Sequence, residues 1–361
     1  MTKIKRKRKI KISASLDFKN FDEYIIFNIL NKFEADTLYS LRVVCKQWYN
    51  MIFDPYFANS NLSYGEPSIL IQTPVSGSYR LGFMEMKGGE VIVKDLNICL
   101  KKPVHASYNS LVLVQYFPKP GDLSVGNPLT RKRITIPPRI CNLRLDNVFG
   151  FTYIPQTREY KIVCQMFDKI ICSCVFMILT LGSNEWRQVK GPQLPWIEKE
   201  SISINSFAHS VVTEDDQDFL FSIDTTEETS HKTALPYSMP IIASLYTVGI
   251  GFSRRLYIMD LGGFLLVVLR FAGYAEVWVL EDFYKNQWVR RRRIFLEGNA
   301  LYFRGLVGSF GNGKVILFAG FDFCYVADDI KLLKLEILPV VKADINNCIQ
   351  HLNSLISCKS L

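Results

Sequence analysis

The chain has 361 residues, of which 48% are hydrophobic and 21% are charged, with a formal net charge of +9. This composition is typical of globular proteins and excludes a disordered chain, and the length predicts two folded units. Seven lysines and arginines precede residue 12, so the rest of the chain carries only about +2 (9 − 7). A protein that is basic throughout, as many nucleic-acid-binding proteins are, is therefore excluded.

Residues 1–16 form a basic tail, which is predicted to be either a solvated, disordered arm or a nuclear import signal. No helix that could read DNA follows, so nucleic-acid binding is not expected. The tail lacks the apolar region of a secretory signal, and the nine cysteines show no framework spacing. Both features indicate a reducing compartment, the nucleus and/or the cytoplasm. The import signal itself would comprise Lys5, Arg6, Lys7, Arg8 and Lys9.

Residues 21–62 carry two apolar stripes at helical spacing, which predict two or three short amphipathic helices. Asp36 is expected to cap the second helix, and Asp54-Pro55 is expected to stop the second stripe. So short a segment cannot bury this much apolar surface on itself. It is either a helical cap packed on the rest of the chain or a docking surface for a partner. The stripes comprise Phe21, Ile25, Ile26, Ile29, Leu30 and Phe33, then Leu38, Leu41, Val44, Cys45, Trp48 and Ile52.

This segment resembles an F-box, whose motif has an Ile-Leu pair, a Leu-Arg-x-Val-Cys-Lys-x-Trp core, Asp-Pro-x-Phe and a closing leucine. The matching residues here are Ile29-Leu30, residues 41–48, residues 54–57 and Leu62. The chain departs from the motif at Phe21-Asp22 and at Phe33-Glu34, where Leu-Pro is usual.

The resemblance implies that the helices dock on the adaptor subunit of an SCF-type ubiquitin ligase and, through it, on a cullin. The adaptor-binding residues would be Phe21, Ile25, Ile29, Leu30, Leu38, Leu41, Val44, Cys45, Trp48 and Ile52.

After Leu62, helical periodicity gives way to short apolar runs bounded by Gly, Pro, Asn and Asp, which predict many strands with tight turns. Strands without intervening helices favour a sandwich, a barrel or a propeller. At roughly 40 to 50 residues per blade, the segment from about 65 to 340 fits about six propeller blades. Two hairpins look like internal repeats, because a polar turn in each leads into a strand with Trp186 or Trp288. The runs are residues 68–71, 111–114, 160–164, 175–179, 219–223, 265–269, 276–280 and 315–318.

This second region resembles the F-box-associated domain of the large plant F-box family, which is similar to kelch-type propellers. The resemblance lies in the order of several short motifs, and Tyr108 and Ser110 depart from the first of them. Residues 198–213 fit poorly. The matching segments are residues 107–112, 125–138, 149–163 and 221–236.

Two features suggest chemistry that the surrounding sequence does not support. Residues 308–314 have the spacing of a phosphate-binding loop, but Val315 and a strand follow, so Asn312-Gly313 is predicted to be a hairpin turn. Cys172 and Cys174 would share one face of a strand and are predicted to be buried core cysteines, since no further metal ligands have suitable spacing. We therefore expect no catalytic residues, no metal and no cofactor.

Four consecutive arginines, Arg290, Arg291, Arg292 and Arg293, form the candidate target-binding site. They would lie on a propeller rim and bind an acidic partner. The alternative is a structural role on an edge strand, with pairing to carboxylates such as Glu281 or Asp282.

The fold class expected is mostly β with a small N-terminal α domain. The expected domains are a tail at 1–16, the F-box at 17–62, the propeller-like domain at 63–345 and a C-terminal tail at 346–361. The resemblance implies a non-catalytic substrate receptor that presents the propeller to an unknown target protein. The alternatives are a propeller interaction protein outside a ligase and a kelch-like propeller enzyme. No membrane span is expected.

Overall fold

A computed structural model describes the greater part of the chain. Its described residues are 22–62, 67–87, 90–116, 122–136, 143–192, 201–214, 217–236, 256–271, 274–295, 305–310, 315–319, 324–328, 335–338, 348–352 and 354–356.

Four short helices come first, and their ends follow from local chemistry. Asp22 begins the first helix, because its carboxylate accepts a hydrogen bond from the Tyr24 amide at 3.0 Å. Asp54 likewise accepts from the amides at the start of the fourth helix, whose first residue is Pro55. The helices are α1 Glu23–Leu30, α2 Ala35–Leu41, α3 Lys46–Ile52 and α4 Pro55–Leu62.

The predicted cap of α2 was wrong. Asp36 lies inside the first turn of α2 and Glu34 occupies the N-cap position. The Asp36 carboxylate accepts a hydrogen bond from the Thr37 amide at 3.0 Å and lies 3.1 Å from Lys94, a residue far along the chain.

The rest of the described chain consists of strands, which confirms the predicted fold class of N-terminal helices followed by a β-propeller. All eight apolar runs singled out in the sequence lie in strands. The strands are β1 Pro67–Val75, β2 Ser78–Lys87, β3 Glu90–Leu100, β4 Val104–Tyr108, β5 Leu111–Tyr116, β6 Asp122–Asn127, β7 Lys132–Thr135, β8 Leu143–Ile154, β9 Glu159–Asp168, β10 Ser173–Thr180, β11 Trp186–Gln188, β12 Ser201–Ile204, β13 Phe207–Glu214, β14 Gln217–Asp224, β15 Thr229–Ala234, β16 Leu256–Leu261, β17 Phe264–Phe271, β18 Tyr274–Asp282, β19 Gln287–Phe295, β20 Gly305–Phe310, β21 Val315–Ala319, β22 Cys324–Asp328, β23 Leu335–Leu338 and β24 Cys348–Leu352.

The strands of the described residues form six antiparallel sheets of four strands each. Five sheets are built from consecutive strands: β4–β7, β8–β11, β12–β15, β16–β19 and β20–β23. The first strands of these sheets, together with β24, contact one another in sequence around a closed ring. This ring surrounds the propeller axis, and each sheet is one blade.

The remaining sheet, with the order β24-β1-β2-β3, closes the ring by joining the two ends of the chain. Ser68 of β1 pairs with His351 of β24. The prediction of a C-terminal tail at 346–361 was therefore wrong for residues 348–352, which form the innermost strand of the first blade. The segment is too short for its alternation to identify a strand, and its pairing partner lies more than 270 residues away.

Close packing between blades fixes their spacing. Phe149, Phe176 and Phe221, from the third and fourth blades, form a buried triad with ring centroids 5.1 to 5.7 Å apart. Beside them, a Cβ atom on Gly150 would lie 2.5 Å from the Cβ of Ala208, so only glycine fits there. The two tryptophan hairpins are the third and fourth strands of the third and fifth blades, β10–β11 and β18–β19.

Two other expectations concern local structure. Cys172 is exposed in the turn before β10 and Cys174 is buried, so the two thiols do not share a strand face as expected. The positive φ of Cys172 shows that a turn occupies this position. β20 and β21 pair as an antiparallel hairpin around residues 311–314, which themselves lie outside the described residues. Among the described helices, none is both long and apolar enough to cross a membrane.

Candidate interaction surfaces

The helical segment exposes an unusual share of apolar surface. In the part of the chain that the structure describes, fourteen large apolar side chains are exposed, and eight of them lie within residues 22–62. Exposed apolar surface concentrated in this way is typical of a binding surface. These eight are Tyr24, Ile25, Ile29, Phe33, Val43, Val44, Tyr49 and Tyr56.

The residues predicted to bind an adaptor divide into three groups. Ile25, Ile29 and Val44 are 45%, 49% and 48% exposed, and Ile25 and Ile29 lie one turn apart on α1. Leu41, Cys45 and Trp48 are half-buried. Leu30, Leu38 and Ile52 lie in the interior, and Phe21 lies outside the described residues.

The three interior side chains hold the helices together and cannot present their own surface to a partner. They pack in one cluster with Ile26 and Phe57. The candidate adaptor surface is accordingly narrowed to the exposed and half-buried members of the predicted set.

Ionic and cation–π contacts seat the helices on the propeller. Lys94 of β3 lies 3.1 Å from Asp36 and 2.9 Å from Glu85. Burial by itself would lower the pKa of Lys94, but the two carboxylates raise it above its usual range. Lys132, at the start of β7, lies 4.6 Å from the ring centroid of Phe53. The helices are thus attached to the first and second blades.

The C-terminal residues complete the attachment of the helices to the propeller. We call the residues that make this attachment the seat of the helices: Lys94, Lys132, Asn127 and residues 354–356. Asn127 donates two hydrogen bonds, to the carbonyl oxygens of Ser354 and Ile356, each at 2.9 Å. Leu355 and Ile356 are buried in the same apolar cluster as the interior side chains of the helices and several residues of the second and third blades. We call Ser354, Leu355 and Ile356 the C-terminal wedge. The prediction of a tail at 346–361 was wrong for these three residues too.

The arginine run lies on β19, the outermost strand of the fifth blade, and pairs with carboxylates of its own blade. Arg293 donates to Oε1 of the buried Glu276 at 2.6 Å, and Arg290 lies 3.3 Å from the same atom. Arg291 pairs with Glu281, as the structural alternative expected, whereas Asp282 pairs with Lys285. Three of these arginine side chains therefore have structural partners and remain about half exposed.

The described residues contain no group of three or more His, Cys, Asp or Glu side chains that could hold a metal ion. His209 and His351 are buried, and burial lowers the pKa of each imidazole to about 3. Each ring is hydrogen-bonded to a serine hydroxyl at 2.7 Å, His209 to Ser222 and His351 to Ser107. Both therefore serve as neutral core side chains.

Sequence reasoning missed the seat of the helices, because its members come from distant parts of the chain. Lys94, Lys132 and Asn127 follow the ordinary alternation of strands, and nothing near them in sequence marks a contact with helices. The only available signal was the apolar Leu355-Ile356 pair in a segment expected to be a tail.

Comparison with known proteins finds one family match in the helical segment and another in the strand region. Residues 18–59 match the F-box domain, and residues 86–324 match the F-box associated beta propeller domain. The chain is similar to the Arabidopsis thaliana F-box protein At1g30920, with 26% identity over 81% of this chain and 79% of the relative. It is also similar to the F-box protein At5g49610 of the same plant, with 20% identity over 74% of this chain and 77% of the relative.

Among solved structures, the chain is similar to TolB from Acinetobacter baumannii. The TM-score is 0.50 at 11% identity, and the match covers 80% of this chain and 67% of that one. A likeness at this identity concerns the propeller fold alone.

Proposed function

Since this chain belongs to the family of F-box proteins with an F-box associated β-propeller domain, we propose that it is the substrate-recognition subunit of an SCF-type ubiquitin ligase. The F-box docks on the adaptor subunit, which is tethered to a cullin, and the propeller holds a target protein. Ubiquitin transfer belongs to other subunits. This chain contributes proximity, because tethering replaces a bimolecular encounter by a high effective concentration.

The observation that carries the proposal is the exposed apolar surface of the F-box. Ile25 and Ile29 remain about half exposed although the helices are already seated on the propeller. Their exposure is costly in an isolated protein, since a buried isoleucine contributes about 1.5–3 kcal/mol. A partner that covers α1 would recover this free energy.

The seat of the F-box also bears on the second candidate function, a propeller interaction protein outside a ligase, with the helices packed on its own sheet. The helices do pack on the propeller through Lys94, Lys132 and the C-terminal wedge. That packing uses the buried Leu30 and Leu38 together with the partly exposed Asp36 and Phe53, so it leaves Ile25, Ile29 and Val44 exposed for an adaptor.

The test is co-purification of the full chain with a purified SCF adaptor subunit. Ile25→Ser combined with Ile29→Ser should reduce the amount of adaptor retained at least about tenfold, the effect of losing about 1.4 kcal/mol. The control is Ile170→Ser combined with Ile171→Ser, which alters two exposed isoleucines on a propeller turn. Wild-type retention by the α1 variant, with an unchanged melting temperature, would contradict the adaptor role.

A further inference from the structure

Four polar and aromatic residues from four successive blades converge where the innermost strands end. Tyr108 ends β4, Tyr153 lies near the end of β8, Asn205 follows β12 and Asp260 lies near the end of β16. We call these residues the axial cluster. Because innermost strands surround the propeller axis, their ends meet at one face of the ring.

Hydrogen bonds across blades fix the axial cluster. Asn205 donates from Nδ2 to the carbonyl oxygen of Gly263 at 3.0 Å, which joins the fourth blade to the fifth. The Gly263 amide in turn donates to Oδ1 of Asp260 at 2.8 Å. Tyr108 of the second blade lies close enough to Asn205 and Asp260 for both to affect its pKa. The positive φ of Asn205, Gly262 and Gly263 keeps these turns tight, so the geometry is set before any ligand arrives.

The rings of Tyr108, Tyr153 and Tyr160 are tilted against one another, and Asp260 lies near Tyr108. The centroids of Tyr108 and Tyr153 are 6.4 Å apart, and those of Tyr153 and Tyr160 are 4.7 Å apart. Stacked phenol rings present faces of negative electrostatic potential, to which cations are attracted. Tyr108 is one of the two departures from the first propeller motif, so this ring is a property of the present chain.

The electrostatic environment of the cluster disfavours negative charge. Burial raises the pKa of the Asp260 carboxyl above its ordinary value. Burial, together with Asp260 and Tyr153 nearby, raises the pKa of Tyr108 to about 12. A positive group placed here would stabilise the carboxylate in a region of low dielectric constant.

The cluster can be reached from solvent. Tyr108, Tyr153 and Asp260 are half-buried and Asn205 is exposed. Phe264, the first residue of β17 after the turn that follows Asp260, is 55% exposed and adds apolar surface at the edge of the cluster. A flat side chain could thus lie on the rings with its charged end at the carboxylate.

We propose that the axial cluster binds an arginine side chain of the target protein. The planar guanidinium stacks on aromatic rings and pairs with a carboxylate through two parallel hydrogen bonds, which an ammonium group cannot do. The inference rests on the proposed role of the propeller as target receptor and names the chemistry of one contact that it makes.

The test uses L-argininamide as the probe, with L-citrullinamide as its neutral isostere, and the full chain as the protein. Isothermal titration should show argininamide binding about tenfold more tightly than citrullinamide, the equivalent of about 1.4 kcal/mol. This comparison needs no variant. Equal affinities of the wild-type chain for the two probes would overturn the proposal.

Variants then locate the contact. Asp260→Asn keeps the shape of the side chain and should abolish the preference for argininamide. Tyr108→Leu should weaken argininamide binding, whereas Tyr108→Phe, which keeps the ring, should retain it. Asp282→Asn is the matched control, since Asp282 lies in another turn of the same blade and pairs with Lys285. A preference that survives Asp260→Asn or disappears in Asp282→Asn would also overturn the proposal.

The same preparations distinguish this inference from the proposed function. Adaptor retention should be unchanged in the Asp260 and Tyr108 variants, because neither residue belongs to the exposed apolar surface of the helices. If the wild-type chain does not bind the adaptor but still prefers argininamide, the ligase role is contradicted and the axial site is still supported.

Discussion

The Nζ atom of Lys161 lies 2.9 Å from Oε1 of Glu228, and this ion pair joins the third blade to the fourth. Lys161 is buried, and its ammonium also donates to the Thr225 carbonyl oxygen at 2.7 Å. Arg187 donates from Nε to the other carboxylate oxygen of Glu228 at 2.8 Å. Hydrogen bonding from Arg187 and then from Lys161, against the effect of burial, lowers the pKa of Glu228 to about 2.

Replacing Glu228 by Gln should destabilise the protein by about 2 kcal/mol, because a buried ammonium loses its counter-charge. The depressed pKa means that this contribution is present above the ordinary value of 4.5 and is lost as the pH falls towards about 2. Urea unfolding at pH 7 measures the loss. Glu227→Gln, an exposed neighbour, is the control and should unfold like the wild type.

The two buried histidines should make stability fall with acidification over a different range. His209 and His351 are neutral in the fold, with pKa values of about 3 against an ordinary 6.5. Their contribution is complete above pH 6.5 and is lost as the pH falls below it, by up to about 1.4 kcal/mol per pH unit for each imidazole. His351→Gln should therefore flatten the slope of unfolding free energy between pH 6.5 and pH 5. Histidine proton resonances of these residues that titrate above pH 5 would refute the assignment.

The C-terminal wedge should be required for a stable seat of the F-box. A chain that ends at residue 353 loses buried Leu355 and Ile356, and each contributes about 1.5–3 kcal/mol. A chain that ends at residue 356 keeps the wedge and serves as the matched control. Thermal unfolding and hydrogen exchange of α1 and α2 compare the two truncations. Equal melting temperatures would show that the wedge contributes nothing.

The arginine run should separate into structural and exposed members. Arg293→Gln removes hydrogen bonds to the buried Glu276 and should cost about 2 kcal/mol in unfolding free energy. Arg291→Gln removes an exposed pair with Glu281 and should cost less than about 1 kcal/mol. Arg291→Glu is thus the variant in which reduced binding to an acidic target can be measured while the protein stays folded. A melting temperature for Arg293→Gln equal to that of the wild type would contradict the structural assignment.

The basic tail, residues 1–16, lies outside the described residues, and its role in nuclear import stays a prediction. Deletion of residues 1–12 should reduce nuclear accumulation of a fluorescent fusion, because import receptors bind clustered lysine and arginine. Adaptor retention by the same deletion should be unchanged. Microscopy of the fusion provides the measurement, and an unaltered distribution would leave the tail as a solvated arm.

The sequence predicted the helical segment and the strands correctly because both depend on local patterns, whereas the choice of a propeller among all-β folds came from the length and from the family resemblance. Apolar residues at i, i+4 spacing predict the α1 helix, and the apolar run at 265–269 predicts a buried strand whatever lies beside it. The order and spacing of the F-box motif residues from Ile29 to Leu62 indicated the protein family. The predicted adaptor-binding set mixed interior and surface side chains, because the sequence alone does not reveal which of two neighbouring apolar residues, such as Ile29 and Leu30, faces the core.

Only the tertiary structure decided which distant segments meet. The pairing of Ser68 with His351, the contact of Asp36 with Lys94 and the burial of Leu355 each join residues remote in sequence. Such contacts depend on closure of the whole ring, which pairs the two chain ends in one blade. A local sequence pattern does not identify the distant segment that it will contact. The closing strand, the seat of the F-box and the axial cluster are therefore seen only when the blades are assembled around their axis.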